Sequence, residues 1–279
     1  YVKEYVNNKL NIHQESGGIP QLTRDQIGKY KIRVPSFIEQ KKISNILYTW
    51  DTAITQTQQL IIQLQQRNKG LMQELLTGKR RLKGFKKPWR SLLLGQIFIE
   101  RNEVNFLGLT LLSVGSSGIY PQSESEKRDT SNNDKSKYKR ICIGDIGYNT
   151  MRLWQGRCAL SSLEGIISPA YTVITPRNNE DAAFYSYMFK LPKMMHLFFR
   201  NSQGLVDDTL NCKFKDFKKI KILTPEFDEQ KAIRVVIEKA VEEELKLKNQ
   251  LSQLTIQKKG LLQKLLTGEI RIKNINQFA

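Results

Sequence analysis

The chain has 279 residues, with 45 Lys and Arg against 27 Asp and Glu, a formal net charge of +18 and a pI near 9.7. That length allows one to three domains with a sizeable core, and the charge points to a polyanionic partner, nucleic acid first and an anionic membrane surface second. The absence of any run of 18 apolar residues speaks against a helical membrane span.

Residues 1–35 lead into a segment that is used twice. Lys29 to Lys83 returns without a gap, 190 positions later, as Lys219 to Lys273, with 21 of the 55 aligned positions identical. Pro35-Ser-Phe-Ile-Glu39-Gln-Lys41 answers to Pro225-Glu-Phe-Asp-Glu229-Gln-Lys231, and Lys69-Gly70-Leu-Met-Gln-Glu-Leu-Leu-Thr77-Gly78 to Lys259-Gly260-Leu-Leu-Gln-Lys-Leu-Leu-Thr267-Gly268. The unit is too long for a solenoid and reads as a globular module plus a long helix. On this alignment Tyr1 meets Leu191, so residues 1–35 correspond to the tail of a first module. A complete first copy needs about 100 more residues ahead of Tyr1, and a first module cut short is expected. The chain begins without Met and without a signal-peptide pattern.

Residues 36–83 carry the first long helix. Its apolar positions alternate four and three apart: Ile43, Leu47, Trp50, Ile54, (Thr57), Ile61, Leu64, (Asn68), Leu71 and Leu75. The second copy, within 225–279, gives Ile233, Ile237, Ala240, (Glu244), Leu247, Leu251, Leu254, (Lys258), Leu261 and Leu265. This is a coiled-coil seam, and polar slots such as Asn68 and Lys258 are a means of fixing register. Ser36 and Glu39 have capping-box spacing. In the second copy Thr224 is expected at the cap, with Pro225 at the first helical position. Gly78 and Gly268 suit left-handed helix ends. About 40 residues at 1.5 Å each give rods about 60 Å long, and two equal rods joined through a module pack most simply as an antiparallel pair. The Gln-rich face (Gln56, Gln58, Gln59, Gln65, Gln66) reads as solvated surface.

Residues 84–224 change character. Strands are expected at Ser91–Glu100, Thr110–Val114, Arg140–Ile143, Gly147–Asn149, Ala170–Ile174 and Lys219–Leu223, with a helix over about Asp181–Arg200. The fold class is therefore α+β: a mixed, largely antiparallel sheet module flanked by two long helices.

Basic residues are grouped. One cluster is Lys79, Arg80, Arg81, Lys83, Lys86, Lys87 and Arg90; another is Lys127, Arg128, Lys135, Lys137, Lys139 and Arg140, in the Ser116–Arg140 loop that also holds Ser117 and Tyr120. Near a strand end, Tyr148, Asn149, Arg152, Trp154, Gln155 and Arg157 alternate phenol, amide, guanidinium and indole groups. Arg200, Asn201 and Gln203 follow the helix. Arg forks onto guanine, Asn and Gln onto adenine, and Lys grips phosphate. Taken alone, the 127–140 cluster also fits a solvated surface, and Arg152 with Trp154 also fits a packed aromatic beside an ion pair. Read together with +18, they form a DNA or RNA face.

Catalytic signatures are absent from this sequence. His13 and His196 stand far apart, Asp207-Asp208 is a lone acidic pair, and no phosphate loop, G-x-G-x-x-G or methyltransferase tetrad occurs. No cofactor or metal is expected. The cysteines Cys142, Cys158 and Cys212, in no C-x-x-C spacing, fit a reducing cytoplasm and argue against structural zinc.

The run Ile143-Gly-Asp-Ile-Gly-Tyr148-Asn149-Thr-Met-Arg152-Leu-Trp154-Gln-Gly156, followed by Glu164-Gly165-Ile-Ile-Ser168-Pro169-Ala-Tyr171, resembles the target-recognition domain of specificity (S) subunits of type I restriction–modification enzymes. The paired Pro-x-x-x-Glu-Gln-Lys openings and Leu-Leu-Thr-Gly endings resemble that family's two spacer regions. The resemblance implies a non-catalytic, cytoplasmic DNA reader in a phage-defence and DNA-methylation complex. Methyltransferase (M) and endonuclease/translocase (R) subunits are its implied partners. It also implies four parts: a remnant of a first target-recognition domain at 1–35, spacer helices at 36–83 and 225–279, and a second target-recognition domain at 84–224. A chain with one complete reader would read one half of an interrupted target, or self-associate to gain a second. The competing readings are a coiled-coil adaptor with incidental basic charge and an enzyme in its own right.

Overall fold

The computed structural model describes residues 34–115, 118–125, 131–206 and 209–272. Within the 1–35 expectation only Val34 and Pro35 fall among these; His13, Asp207 and Asp208 lie outside the described residues. In chain order the elements are α1 (Phe37–Leu76), β1 (Arg90–Leu93), α2 (Leu94–Ile97), β2 (Phe98–Arg101), β3 (Leu112–Val114), β4 (Ile119–Pro121), β5 (Lys139–Ile141), β6 (Ile146–Asn149), β7 (Cys158–Leu160), β8 (Gly165–Ile167) and β9 (Tyr171–Pro176). There follow α3 (Ala182–Met188), α4 (Pro192–Arg200), α5 (Phe214–Phe217), β10 (Lys221–Thr224) and α6 (Phe227–Thr267). The contacts divide the chain into two compact units, residues 1–65 with 242–279 and residues 66–241, so each of the two long helices contributes to both.

In the first unit α1 and α6 run antiparallel. Glu39 meets Arg271, Asp51 meets Lys258 and Gln65 meets Glu244, so the partner's number falls as the first rises. In the second unit Asn68 Nδ2 donates to the Ala240 carbonyl at 2.9 Å and Arg81 clasps Glu229. All twenty expected seam positions are buried or half-buried, and the Gln-rich face is exposed. Heptad spacing buries one stripe per helix, which is why the pattern specifies this pairing. The polar slots tie one helix to the other: Asn68 reaches Ala240, and Lys258 reaches Asp51.

Both helices start and stop alike. Phe37 and Phe227, 190 positions apart, open them, and Gln40 and Gln230 each donate to the carbonyl of the preceding Pro35 or Pro225 at 2.9 Å. Gly78 and Gly268 close them at φ of 72° and 73°. Two cap expectations are corrected. Ser36 Oγ accepts from the Glu39 amide at 3.3 Å, but the Glu39 carboxylate is drawn to Arg271 and leaves the box half-made. Thr224 turns its hydroxyl to Tyr185 and Gln230, and Pro225 precedes the helix.

The sheets among the described residues lie in the second unit. All strand ladders are antiparallel: β1 with β10, β3 with β4, β5 with β8, and a four-stranded sheet in the order β2-β9-β6-β7. The expected single strand at Ser91–Glu100 is interrupted by α2. There Leu94 and Gly95 donate to the carbonyls of Ile220 and Lys218, and Leu94 and Ile97 enter the core while the chain passes from one sheet to another. The expected helix over Asp181–Arg200 is two helices, because Pro192 opens α4 and Leu191 before it is extended. The main core gathers Phe98, Tyr148, Tyr185, Phe189, Phe198 and Phe217 with Leu75, Leu76, Ile233 and Ile237 from the long helices. A smaller core lies under β3, β5 and β8, around Leu112, Ile141 and Ile167.

Candidate nucleic-acid interface

The Asn149–Arg157 loop leaves β6 and returns as β7. The Asn149 side-chain oxygen accepts from the Met151 amide at 2.9 Å, and the Trp154 indole N–H donates to the Met151 carbonyl at 3.0 Å. Gly156, at φ 74°, ends the 3-10 turn over Leu153–Gln155 and lets the chain return to pair with Asn149. The loop sits on α4: the Trp154 ring meets Phe199 edge-on at 5.8 Å, and a Cβ at Gly156 would come within 3.2 Å of the Met195 sulfur.

The segment after α4 closes on the same loop. Asn201 Nδ2 caps α4 by donating to the Leu197 carbonyl at 2.8 Å, Gln203 bridges to Asn211, and the Cys212 amide donates to the Thr150 carbonyl at 2.8 Å. The Arg152–Arg157 group and the Arg200–Gln203 group, 43 or more residues apart in sequence, therefore stand side by side. Gln155, Arg157, Arg200 and Gln203 are exposed, and Arg152 is half-buried.

The lysine-rich loop approaches the same end of the fold by topology. Lys139 pairs with Ile167 across β5 and β8, the chain turns through Ser168 to Ala170, and the Ala170 carbonyl accepts from the Thr150 amide and hydroxyl. Several basic groups there already have partners. Lys139 meets Glu100 at 3.6 Å. Arg140 forks onto Glu164 and Glu103 and lies over the Phe106 ring. Arg140, and after it Arg101, holds the Glu103 carboxyl below its usual range. Lys135 donates to Ser131 at 2.6 Å and covers Tyr138, while Lys137 is exposed. Tyr120 is half-buried in β4 opposite Ser113. Ser116, Ser117, Lys127 and Arg128 lie outside the described residues.

One expected contact residue is corrected. Tyr148 is fully buried, with its ring stacked on Phe217 at 5.4 Å, so it supports the loop from behind and cannot reach a duplex. Asn149, Trp154, Asn201 and Lys135 spend at least one polar group each on shaping their own turns. Met151 and Phe199 were not anticipated at this face; no periodicity marks them, since their exposure depends on how the loop meets α4.

The cluster at 79–90 divides in the same way. Arg81 and Arg90 bind Glu229, Glu180 and Glu226, whereas Lys79, Lys83, Lys86 and Lys87 are exposed. Burial raises the Cys158 thiol to about 11 and the Cys212 thiol to about 12, as desolvation disfavours the thiolate. Among the described residues no helix is long and apolar enough to cross a membrane. None of the described His, Cys, Asp and Glu residues form a group of three or more that could hold a metal.

The chain thus combines a long antiparallel helix pair with a sheet module that carries a basic, amide-rich loop face. The family model for the type I restriction modification DNA specificity domain matches residues 1–66. A putative type I restriction enzyme MjaX specificity subunit from Methanocaldococcus jannaschii is 28% identical over 285 residues, covering 90% of this chain and 62% of the relative. The MjaVIII specificity subunit of the same organism is 27% identical over 299 residues, covering 96% of this chain and 68% of its own length. The crystal structure of the HsdS subunit from Thermoanaerobacter tengcongensis shares the fold, with a TM-score of 0.54 and 17% identity over 96% of this chain and 68% of that one. Over most of its length the chain is similar to type I restriction enzyme specificity subunits. It spans less than two thirds of the length of the first of these relatives.

Proposed function

We propose that this chain is a non-catalytic, sequence-specific DNA-recognition subunit of a type I restriction–modification complex, acting in the cytoplasm. The lobe at 84–224 is the target-recognition domain and reads part of an interrupted target. The helices within 36–83 and 225–279 are spacers that also offer docking surface to M subunits and, through them, to R subunits. Residues 1–35 belong to a first target-recognition domain, and self-association is a route to a second reader.

The observation that carries this reading is the meeting of the Asn149–Arg157 loop with the Arg200–Gln203 segment. That contact, built on Trp154 and Phe199 and on the Thr150–Cys212 hydrogen bond, puts guanidinium and carboxamide groups on one exposed face. Such groups can read base edges, while the surrounding lysines bind phosphate. The test is co-purification with a candidate methyltransferase subunit, followed by selection of bound duplexes from a random pool. Enrichment of one short motif is expected. Recovery of a protein partner without any enriched motif would favour the coiled-coil adaptor instead.

A further inference from the structure

Between the end of α1, helices α3 and α4 and the β1–β10 ribbon lies a cavity of about 210 Å³. Its floor is apolar: Leu76, Met188, Met194 and Ile222 are buried and Leu197 is half-buried. Trp89 forms a wall, its ring so close to Gly78 that a Cβ there would stand 3.1 Å from it. Ser91, Lys193, Lys221 and Leu223 line the mouth and are exposed, Leu223 by 52%. Neither lysine has an ion-pair partner among the described residues, and no carboxylate is among the described residues that line the cavity. A groove of about 580 Å³ adjoins it through Thr77, Leu191 and Lys193 and follows the last turns of α1 back to Gly70, with Lys79 exposed beside it. The groove's carboxylate, Glu74, is met by Arg80 at 3.6 Å.

Size and lining choose among occupants. An apolar cavity of about 150 Å³ takes up benzene, whereas pockets for drug-sized molecules start at about 300 Å³. One aromatic or branched aliphatic side chain therefore fits, and the groove leaves room for the chain that carries it. A nucleotide base would bring polar edges into an apolar lining, where Thr77 already spends its hydroxyl on the Gln73 carbonyl. A second copy of this chain carries the same net charge of +18 and meets the lysines with like charge. Carboxylates, by contrast, would supply the counter-charge that Lys193 and Lys221 lack.

We propose that this cavity is a docking site for an acidic segment of a partner protein that carries one large apolar side chain. The apolar side chain fills the space over Leu76, Met194 and Ile222, flanking carboxylates meet Lys193 and Lys221, and the rest of the segment follows the groove past Lys79. A single desolvated anchor supplies most of the affinity, and the charges around it set specificity and rate of encounter. The site goes beyond the DNA-recognition reading and does not depend on it, since no residue of the Asn149–Arg157 loop or the Arg200–Gln203 segment lines it.

The experiment selects a random peptide pool on the full chain, with counter-selection on Ser91→Phe. That variant puts a ring into the mouth of the cavity from an exposed strand position, where aromatics are well tolerated, so its melting temperature should match the parent. Peptides rich in Asp and Glu around one Leu, Phe or Trp are expected. By fluorescence anisotropy their affinity should fall about 30-fold on Ser91→Phe. It should fall at least about tenfold on the double variant Lys193→Glu, Lys221→Glu, and by a similar factor when the apolar residue of the peptide is replaced with Ala. No peptide favouring the parent over Ser91→Phe, or favoured peptides without carboxylates, overturns the proposal. So does an equal loss of duplex affinity in the lysine double variant, which would assign Lys193 and Lys221 to phosphate.

Discussion

Arg81 grips Glu229 through two parallel hydrogen bonds, Nε to Oε1 at 2.6 Å and Nη2 to Oε2 at 2.7 Å, tying the end of one helical segment to the start of the other. Exactly 190 positions on, Arg271 grips Glu39 in the same way at 2.7 and 2.6 Å. Both members of each pair fall in the repeat, so one duplicated Arg–Glu relation occurs once in each unit. Planar guanidinium and carboxylate match in this bidentate form, whereas a lysine could not reproduce it.

The two clamps should respond differently. Arg81 also donates to the Lys87 carbonyl and covers Trp89, and Glu229 is buried, so Glu229→Ala leaves a half-buried guanidinium unpaired. A loss of about 3 kcal/mol or more is expected in urea unfolding. Arg271 is largely exposed, and Glu39→Ala should cost less.

The second clamp should also show in the pH dependence. Arg271 holds the Glu39 carboxyl below its ordinary value of 4.5. A carboxyl depressed on folding stabilises the fold above its unfolded pKa and ceases to do so as pH falls through the folded one. The melting temperature should therefore drop on acidification below 4.5, with Glu39→Gln removing part of that slope. Glu103, held low chiefly by Arg140, adds to the same acid-side loss.

The helix seam offers a plainer test. Leu64 is buried and Leu254 half-buried between the helices. Replacing both with Asp desolvates two carboxylates without partners, each costing several kcal/mol. Circular dichroism should show an early loss of helix on heating; an unaltered melting curve would mean the segments do not pair.

The thiols report on the core. With Cys158 near 11 and Cys212 near 12, almost no thiolate is available at pH 8. Iodoacetamide should leave both unmodified in the folded chain and label them after unfolding, by mass spectrometry.

The seam was legible because burial of a helical stripe imposes a period that sequence alone displays. Every slot from Ile43 to Leu75 and from Ile233 to Leu265 is at least half-buried. What escaped were events decided by distant partners. The turn at Leu94–Ile97 exists because Ile220 and Lys218 supply carbonyls, more than a hundred residues later. The short strands β4, β7 and β8, of three residues each, are held by their sheet neighbours and carry too few positions for a period. The buried group of Glu180, Tyr185, Thr224 and Gln230 at the start of α6 likewise joins residues up to 50 apart. At the candidate interface the residue types were legible, but their allocation was not. Tyr148 looked like part of the reading loop because it adjoins Asn149, yet strand alternation turns it into the core.

The central claim is most directly tested by titrating selected and scrambled duplexes with the chain and with Arg152→Ala at several salt concentrations. The account predicts affinity that falls steeply with salt on both duplexes, together with a loss of about 10- to 100-fold for Arg152→Ala confined to the selected one. Equal losses on both duplexes would place Arg152 on phosphate, and equal affinity of the parent chain for both would contradict sequence reading by this lobe.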